Sequence, residues 1–294
     1  MNLFQRKGLL KKMNKHYVFV YGTLRKNEKY HHLLQGAELV AEQAWANGSL
    51  FDTGLGYPAV KESESDPVYG ELYLVSDKHL CSLDELEEYE EHSHDNLYDR
   101  KKQIIFHDNG KTEAYIYTVA KHNESMLITP ILLGDWKVYQ FEKQSRNVLY
   151  FAYGSCLDHA RFKLGGVDHF FQKFAGVAEL KGYTLRFTKK LPDGGRADIV
   201  EEGGVVEGKV YEIPYECLEY LYRREGVHTR LYRPALIDVK MHGQTIQDVL
   251  TFIVVSKDPE TAPPDHYLEE IIRGGSGFLS ETYLSRLQEH VKML

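Results

Sequence analysis

Val18-Phe19-Val20-Tyr21-Gly22-Thr23-Leu24 and Tyr150-Phe151-Ala152-Tyr153-Gly154-Ser155-Cys156-Leu157 are two versions of one phrase. Each is an apolar, β-forming run that ends in Tyr-Gly followed by a hydroxyl residue. Such a pattern reads as a buried strand emptying into a tight loop. Further along, Val68-Tyr69-Gly70-Glu71-Leu72-Tyr73 echoes Val206-Glu207-Gly208-Lys209-Val210-Tyr211. Each echo precedes a helix-like segment, Leu83-Asp84-Glu85-Leu86-Glu87 and Leu221-Tyr222-Arg223-Arg224-Glu225, and the glycine-to-glutamate offset is 17 residues in both. From the Tyr-Gly glycine to the glutamate the offsets are 65 and 71 residues. Matching order at near-matching distances marks a duplicated domain.

The parallel continues toward the C-terminal end of each copy. Tyr98-Asp99-Arg100 and Tyr232-Arg233-Pro234 read as turns before strands at 103–106 and 235–239, and 114–119 and 250–255 read as further strands. Ile131-Leu132-Leu133-Gly134 and Ile271-Ile272-Arg273-Gly274 each read as a helix end with glycine near the C-cap. Strands mixed with a few helices, without strict alternation, place the chain in the α+β class. The 294 residues are a prior for about two domains. The repeat sharpens this to a domain at 13–141, a polar linker at 142–147 and a second domain at 148–294. The first twelve residues form a short basic tail, or translation starts at Met13.

Composition narrows the function classes. Hydrophobic residues make up 43% and charged residues 27%, which excludes wholesale disorder. No apolar run approaches the ~18 residues of a membrane span, and the N-terminus lacks the apolar core of a signal peptide. The net charge of −7 argues against nucleic acid or an anionic membrane as the main partner. Cys81, Cys156 and Cys217 are too sparse for a disulfide framework, so a cytoplasmic setting is expected. His31-His32 and His92-Ser93-His94-Asp95 lack metal-ligand spacing, and no metal is expected.

The glutamates carry the most information. Leu218, Leu221, Tyr222 and Glu225 fall at i, i+3, i+4 and i+7 of a helix expected to begin near Pro214 and end at Gly226. Leu80, Leu83 and Glu87 do the same behind Ser76, a plausible N-cap. Glu219, Arg223 and Arg224 are expected on other faces. A carboxylate on an apolar stripe is desolvated, which raises its pKa toward the range of a general base. Glu87 alone could belong to a solvated acidic face and Glu225 alone to a salt bridge with a neighbouring arginine, but the repetition favours function. A Tyr-Gly loop can aim successive backbone N–H groups at an anion. Loop and acid together make a site with an anion-binding wall and a proton-transfer wall.

These residues resemble the gamma-glutamylcyclotransferase family over nearly the whole chain. In the second copy the resemblance rests on residues 150–157, on Gly194-Gly195-Arg196-Ala197-Asp198-Ile199, on 221–227, and on Ala262-Pro263-Pro264-Asp265-His266-Tyr267, and it is nearer the dipeptide-type enzymes. In the first copy it rests on 20–24, Gly56-Tyr57-Pro58-Ala59, Leu83-Asp84 with Glu87, and Gly134-Asp135-Trp136, and it is nearer the gamma-glutamylamine branch. The resemblance implies two tandem domains, each a small mixed β-barrel with flanking helices, and neither cofactor nor metal. It implies Glu87 and Glu225 as proton acceptors. Substrate would be bound by Tyr21, Gly22, Thr23 and Leu24 in one domain. In the other it would be bound by Tyr150, Phe151, Ala152, Tyr153, Gly154, Ser155, Cys156 and Leu157, with Tyr267. Three departures stand out: Cys156 where the family has Asn, Tyr222 where it has Asp, and Leu127 at the place of Tyr267 in the first copy.

The implied reaction is intramolecular. The α-amine of a γ-glutamyl group attacks its own γ-carbonyl, giving 5-oxoproline and a free amino acid or amine. Dipeptide turnover is expected at Glu225. Two rivals stay open: a tandem protein that binds γ-glutamyl-type metabolites with reduced turnover, and another acyl transfer such as amide hydrolysis. A thiol nucleophile at Cys156 is disfavoured, because no local histidine base accompanies it and the repeat partner is Leu24.

Overall fold

A computed structural model describes residues 14–64 and 66–294. The expected tail and Met13 lie outside the described residues. The chain divides into two compact units, Met1–Trp136 and Lys137–Leu294.

In the first unit the strands are β1 (Lys15–Val20), β2 (Glu38–Asn47), β3 (Ser49–Asp52), β4 (Pro58–Lys61), β5 (Pro67–Ser76), β6 (Tyr98–His107), β7 (Gly110–Val119) and β8 (Thr129–Pro130), with helix α1 (Asp77–Leu86) after β5. A five-stranded barrel closes in the order β1-β5-β2-β6-β7, and β4, β3 and β8 form a small side sheet. Closure is a parallel contact of Val18 with Tyr115. Helix α2 (Trp136–Lys143) begins at the division between the units and takes in the first two residues of the expected linker.

The second unit repeats the plan. Its elements are β9 (Val148–Ala152), α3 (His159–Leu164), β10 (Lys173–Lys181), β11 (Thr184–Leu191), β12 (Gly194–Val200), β13 (Val205–Ile213), α4 (Cys217–Arg224), β14 (Tyr232–Met241), β15 (Gln244–Val254), α5 (Asp265–Gly275) and α6 (Glu281–Lys292). The barrel closes as β10-β13-β9-β15-β14, the same cyclic order, with Leu250 parallel to Tyr150. The two mixed barrels with flanking helices are the α+β architecture expected from the sequence.

The last three residues of the first strand in each barrel are apolar because both faces of the strand are covered there. Val18, Phe19 and Val20 are buried, as are Tyr150, Phe151 and Ala152. Each is paired antiparallel to the strand carrying the conspicuous glycine of its copy. That glycine is required by contact. A Cβ at Gly70 would strike the Val20 carbonyl oxygen and the Phe19 ring, and one at Gly208 would lie 2.6 Å from the Ala152 carbonyl oxygen and the Phe151 ring.

Local expectations fail in three places. Residues 131–134 form a turn, not a helix end, because Gly134 has φ +66° and its carbonyl accepts from Tyr69 N–H at 2.8 Å. The equivalent Ile271 to Gly274 do lie in the last turns of α5. Tyr98 and Tyr232 open strands rather than turns, since barrel pairing extends to Val119 and Val254 opposite them. Helix α4 starts at Cys217, because residues 214–216 form a turn in which Cys217 N–H donates to Pro214 at 3.0 Å. Ser76 caps α1 as expected, its hydroxyl accepting from His79 N–H.

The close strand approaches predict a specific stability pattern. Gly70→Ala and Gly208→Ala should each destabilise by about 2–3 kcal/mol through overpacking. Gly36→Ala, with φ +86° but open space, should cost about 1 kcal/mol. Urea denaturation of the three variants measures the difference.

Candidate active site

Beyond β1 the chain turns through residues 21–24 over one end of the barrel. Gly22 sits where a Cβ would come within 2.7 Å of the Pro58 ring. The Tyr21 hydroxyl donates to the Tyr117 carbonyl at 2.8 Å, anchoring the loop to β7. Arg25, buried, donates to Glu71 at 3.2 Å and Asp135 at 2.8 Å, while Glu71 also accepts from Lys26 N–H at 2.9 Å. The His31 ring lies 3.1 Å from the Leu24 carbonyl. So braced, the loop leaves the N–H groups of Gly22, Thr23 and Leu24 without an acceptor among the described residues.

Glu87 is the C-cap of α1 and faces this loop across a cavity of about 220 Å³. Tyr21, Gly22, Thr23, Leu24 and Glu87, all singled out by sequence, line it together. Tyr57, Leu86, Tyr98 and Tyr117 line it as well. Those four were not found from sequence. In Tyr98 and Tyr117 the signal was there: an aromatic on a strand that repeats in the second copy as Tyr232 and Phe252. Removal from water, with no cation to offset it, pushes the Glu87 carboxyl up to about 8. Behind it, Asp84 accepts from the Tyr117 hydroxyl at 2.7 Å and pairs with Arg100 at 2.5 Å.

The second unit places the same parts in the same positions. Tyr153 donates to the Phe252 carbonyl at 2.5 Å, as Tyr21 does to Tyr117. Gly154 packs on Ala197, and the N–H groups of Gly154, Ser155 and Cys156 have no acceptor among the described residues. Glu225 is the C-cap of α4. Tyr150, Tyr153, Gly154, Ser155, Cys156, Glu225 and Tyr267 line one small cavity of about 30 Å³. Phe151 and Leu157 lie in the hydrophobic core and Ala152 is buried, so these three do not line it. Tyr267, brought by α5, accepts from Ala197 N–H at 3.2 Å and lines the cavity. In the first unit the chain makes a turn at 131–134 instead of a helix, and Leu127 packs on the core.

One further residue enters the second site against expectation. Arg224 ends α4, and its long side chain reaches over the loop instead of lying on another face. It donates to Ser155 Oγ at 3.1 Å, to Cys156 Sγ at 3.2 Å and to the Tyr220 hydroxyl at 3.4 Å, and its Nε lies 3.5 Å from Glu225. Burial still raises the Glu225 carboxyl, while Arg224 and the Cys156 thiol pull it back. The equivalent of Arg224 in the first unit is Leu86.

Comparison with known proteins places this geometry. Residues 18–138 match the family model described as gamma-glutamyl cyclotransferase, AIG2-like, and residues 205–287 match the AIG2-like family. A Bacillus subtilis protein named "Putative gamma-glutamylcyclotransferase YkqA" is 46% identical over 281 residues, spanning 94% of this chain and 98% of that protein. The chain belongs to the gamma-glutamylcyclotransferase family. The crystal structure of YkqA is similar throughout, with a TM-score of 0.86 at 43% identity over 96% of this chain and 99% of that one. Another family member, the gamma-L-glutamyl-butirosin B gamma-glutamyl cyclotransferase of Niallia circulans, is 37% identical over 132 residues, 44% of this chain and 80% of that protein.

The raised Glu87 carboxyl links site to stability. From the ordinary value of 4.5 up to about 8, the folded state holds a proton that the unfolded state has released. Stability from this group should therefore fall as pH rises through that window, at up to about 1.4 kcal/mol per pH unit. Glu87→Gln should flatten that decline. Chemical denaturation of both proteins between pH 5 and pH 9 reads it directly; parallel curves would show that Glu87 titrates normally.

Proposed function

We propose that the protein cyclises a γ-glutamyl group to 5-oxoproline and releases an amine or amino acid, with Glu87 as the proton acceptor and donor. The observation that carries this reading is Glu87 itself: a carboxyl desolvated without a cation, across an open cavity from three unpaired backbone amides. An incoming α-ammonium supplies the positive charge that this site lacks. Its arrival lowers the Glu87 pKa, so carboxylate and ammonium come to share a proton. Glu87 takes that proton, and the freed α-amine attacks the γ-carbonyl carbon. The C–N bond of the ring forms as the bond to the leaving nitrogen breaks. Glu87 returns that proton to the leaving nitrogen, and the second proton that the attacking nitrogen sheds on becoming the lactam N–H follows through the same carboxyl, so the leaving group departs as an ammonium ion and no water is consumed.

Tethering supplies much of the rate once the γ-glutamyl chain is folded back. The amides of residues 22–24 donate either to the oxyanion or to the substrate α-carboxylate; an oxyanion donor is worth about 3 kcal/mol. The Niallia circulans relative, named as a gamma-glutamyl cyclotransferase of gamma-L-glutamyl-butirosin B, supports the reaction class.

Glu225 is positioned for the same step. A second reading applies to its unit: a retained binding site with reduced turnover. Arg224, 3.5 Å from Glu225, already provides the charge that substrate would bring, and the inner cavity holds about 30 Å³ against 220 Å³. Turnover is therefore assigned first to Glu87, in contrast to the expectation from sequence that Glu225 handles dipeptides.

The test is 5-oxoproline release from γ-glutamyl dipeptides and γ-glutamyl amines by wild type, Glu87→Gln, Glu225→Gln and the double variant. Glu87→Gln should lower kcat/KM by about 100-fold or more, whereas Glu225→Gln should retain most activity. In the wild type kcat/KM should climb with pH through a midpoint near pH 8, as Glu87 ionises. Undiminished turnover in the folded double variant would sink the mechanism. Loss confined to Glu225→Gln would move the chemistry to the second unit.

A further inference from the structure

Outward from Glu225 the second unit opens into a cavity of about 230 Å³ that has no counterpart in charge in the first. Arg161, Lys189, Arg196 and Arg224 line it, against the carboxyls of Glu225 and Glu270. Most of these cations are committed. Arg161 pairs with Glu270 at 2.9 Å, Arg196 with Asp193 at 2.7 Å, and Lys189 lies 3.6 Å from Asp258. Arg224 is different. It is largely buried, and three of its donors go to a serine hydroxyl, a thiol and a phenol, all neutral. Among the described residues its carboxylate neighbour is Glu225, 3.5 Å from Nε, which takes no forked pair of hydrogen bonds.

A guanidinium is built to hold a planar carboxylate through two parallel N–H donors. Arg25 in the first unit shows the satisfied case, buried between Glu71 and Asp135. Arg224 is held by three neutral partners but has no forked carboxylate partner among the described residues, and it lies beside the amides of Gly154, Ser155 and Cys156, which have no acceptor among those residues either. At the matching position of the first unit stands Leu86, beside a carboxyl with no cation.

We infer that the second unit binds a small carboxylate-bearing ligand, with the Arg224 guanidinium as its anchor and the Ser155 loop amides beside it. A carboxylate suits the site better than phosphate, because the neighbouring Glu225 opposes a second negative charge on the ligand. The inference rests on the second reading above and does not depend on turnover at Glu87.

Isothermal titration of the full chain carrying Glu87→Gln, with glutarate as the probe, tests it without interference from chemistry in the first unit. Saturable binding of one glutarate per chain is expected. Arg224→Leu should weaken it by about tenfold or more. Arg224→Lys, which keeps the charge but loses the fork, should weaken it too. If Arg224→Leu does not fold, the Arg224 Nε–H resonance supplies the second measurement and should move on addition of glutarate. No saturable binding would overturn the inference, as would equal binding of neutral glutaramide or of inorganic phosphate, or affinity indifferent to both substitutions. Any of these results, obtained while wild type still releases 5-oxoproline, leaves the cyclisation reading standing and removes this one alone.

Discussion

The loop after the first barrel strand has to be held shut without using its own amides, and a buried charge cluster does this in the first unit. Arg25 lies between Glu71 and Asp135, and Glu71 accepts also from Tyr73 at 2.9 Å. Removing one member of such a cluster ordinarily costs about 3–5 kcal/mol, because the remaining charge stays buried. The arrangement lets the loop carbonyls and side chains carry the fastening while the N–H groups of residues 22–24 face the cavity. The second unit solves the same problem with reversed polarity. Lys209 occupies the strand position of Glu71 and donates to the Leu157 carbonyl at 3.0 Å. Helix α5 closes the other side, with Gly274 packed on the backbone of Leu157 and Asp158, and Arg273 paired with Asp158. Both devices include an Arg–Asp pair, drawn from different positions of the fold, and they leave the same three amides exposed to a ligand.

The sites differ by groups of substitutions that make sense only together. Asp84, Tyr117 and Arg100 form one polar set behind Glu87. Their counterparts are Tyr222, Phe252 and Pro234. Tyr222 packs edge-on against Phe252 and turns its hydroxyl to Glu142 at 2.6 Å. The loss of the aspartate, noted in the sequence as a departure, is thus accompanied by loss of the phenol and guanidinium that it would have bonded. A second set concerns the acid itself. Leu24 and Leu86 flank the Glu87 site, while Cys156 and Arg224 stand in the same places beside Glu225. Cys156 contacts Arg224 at 3.2 Å and Glu225 at 3.8 Å, and burial raises its thiol pKa, which fits a neutral spacer and not a nucleophile.

Much of this was legible because duplication supplies a second reading of every position. The barrel strands, the Tyr-Gly loops and both glutamates could be placed by comparing one copy with the other. What escaped was decided by tertiary contact. The turn at 131–134 and the helix ending at Gly275 come from similar Ile-rich, Gly-ended segments; Gly134 packing on the Pro67 carbonyl decides between them, and no local pattern records that. Helical periodicity put Arg224 on another face, since it tracks Cβ directions and ignores how far a guanidinium reaches. Phe151, Ala152 and Leu157 lie next to lining residues in the sequence, but Phe151 and Leu157 pack in the hydrophobic core and Ala152 is buried.

The electrostatic contrast between the two glutamates has a chemical consequence. A general base that must accept a proton from an ammonium and return it to a leaving amine works best when its pKa lies near the working pH. Desolvation alone brings Glu87 to about 8, and it leaves the site short of exactly the one positive charge that the substrate carries. At Glu225 the same desolvation is opposed by Arg224, so the carboxylate is stabilised before any ligand arrives. An ammonium entering there meets a guanidinium, and its binding loses the attraction that the first site offers. Leu86 in one copy and Arg224 in the other, each one residue before the acid, thus set opposite charge balances beside the two carboxyls. The two acids cap equivalent helices, and the residue before each one, with the loop residue that faces it, sets the charge balance that an incoming group meets.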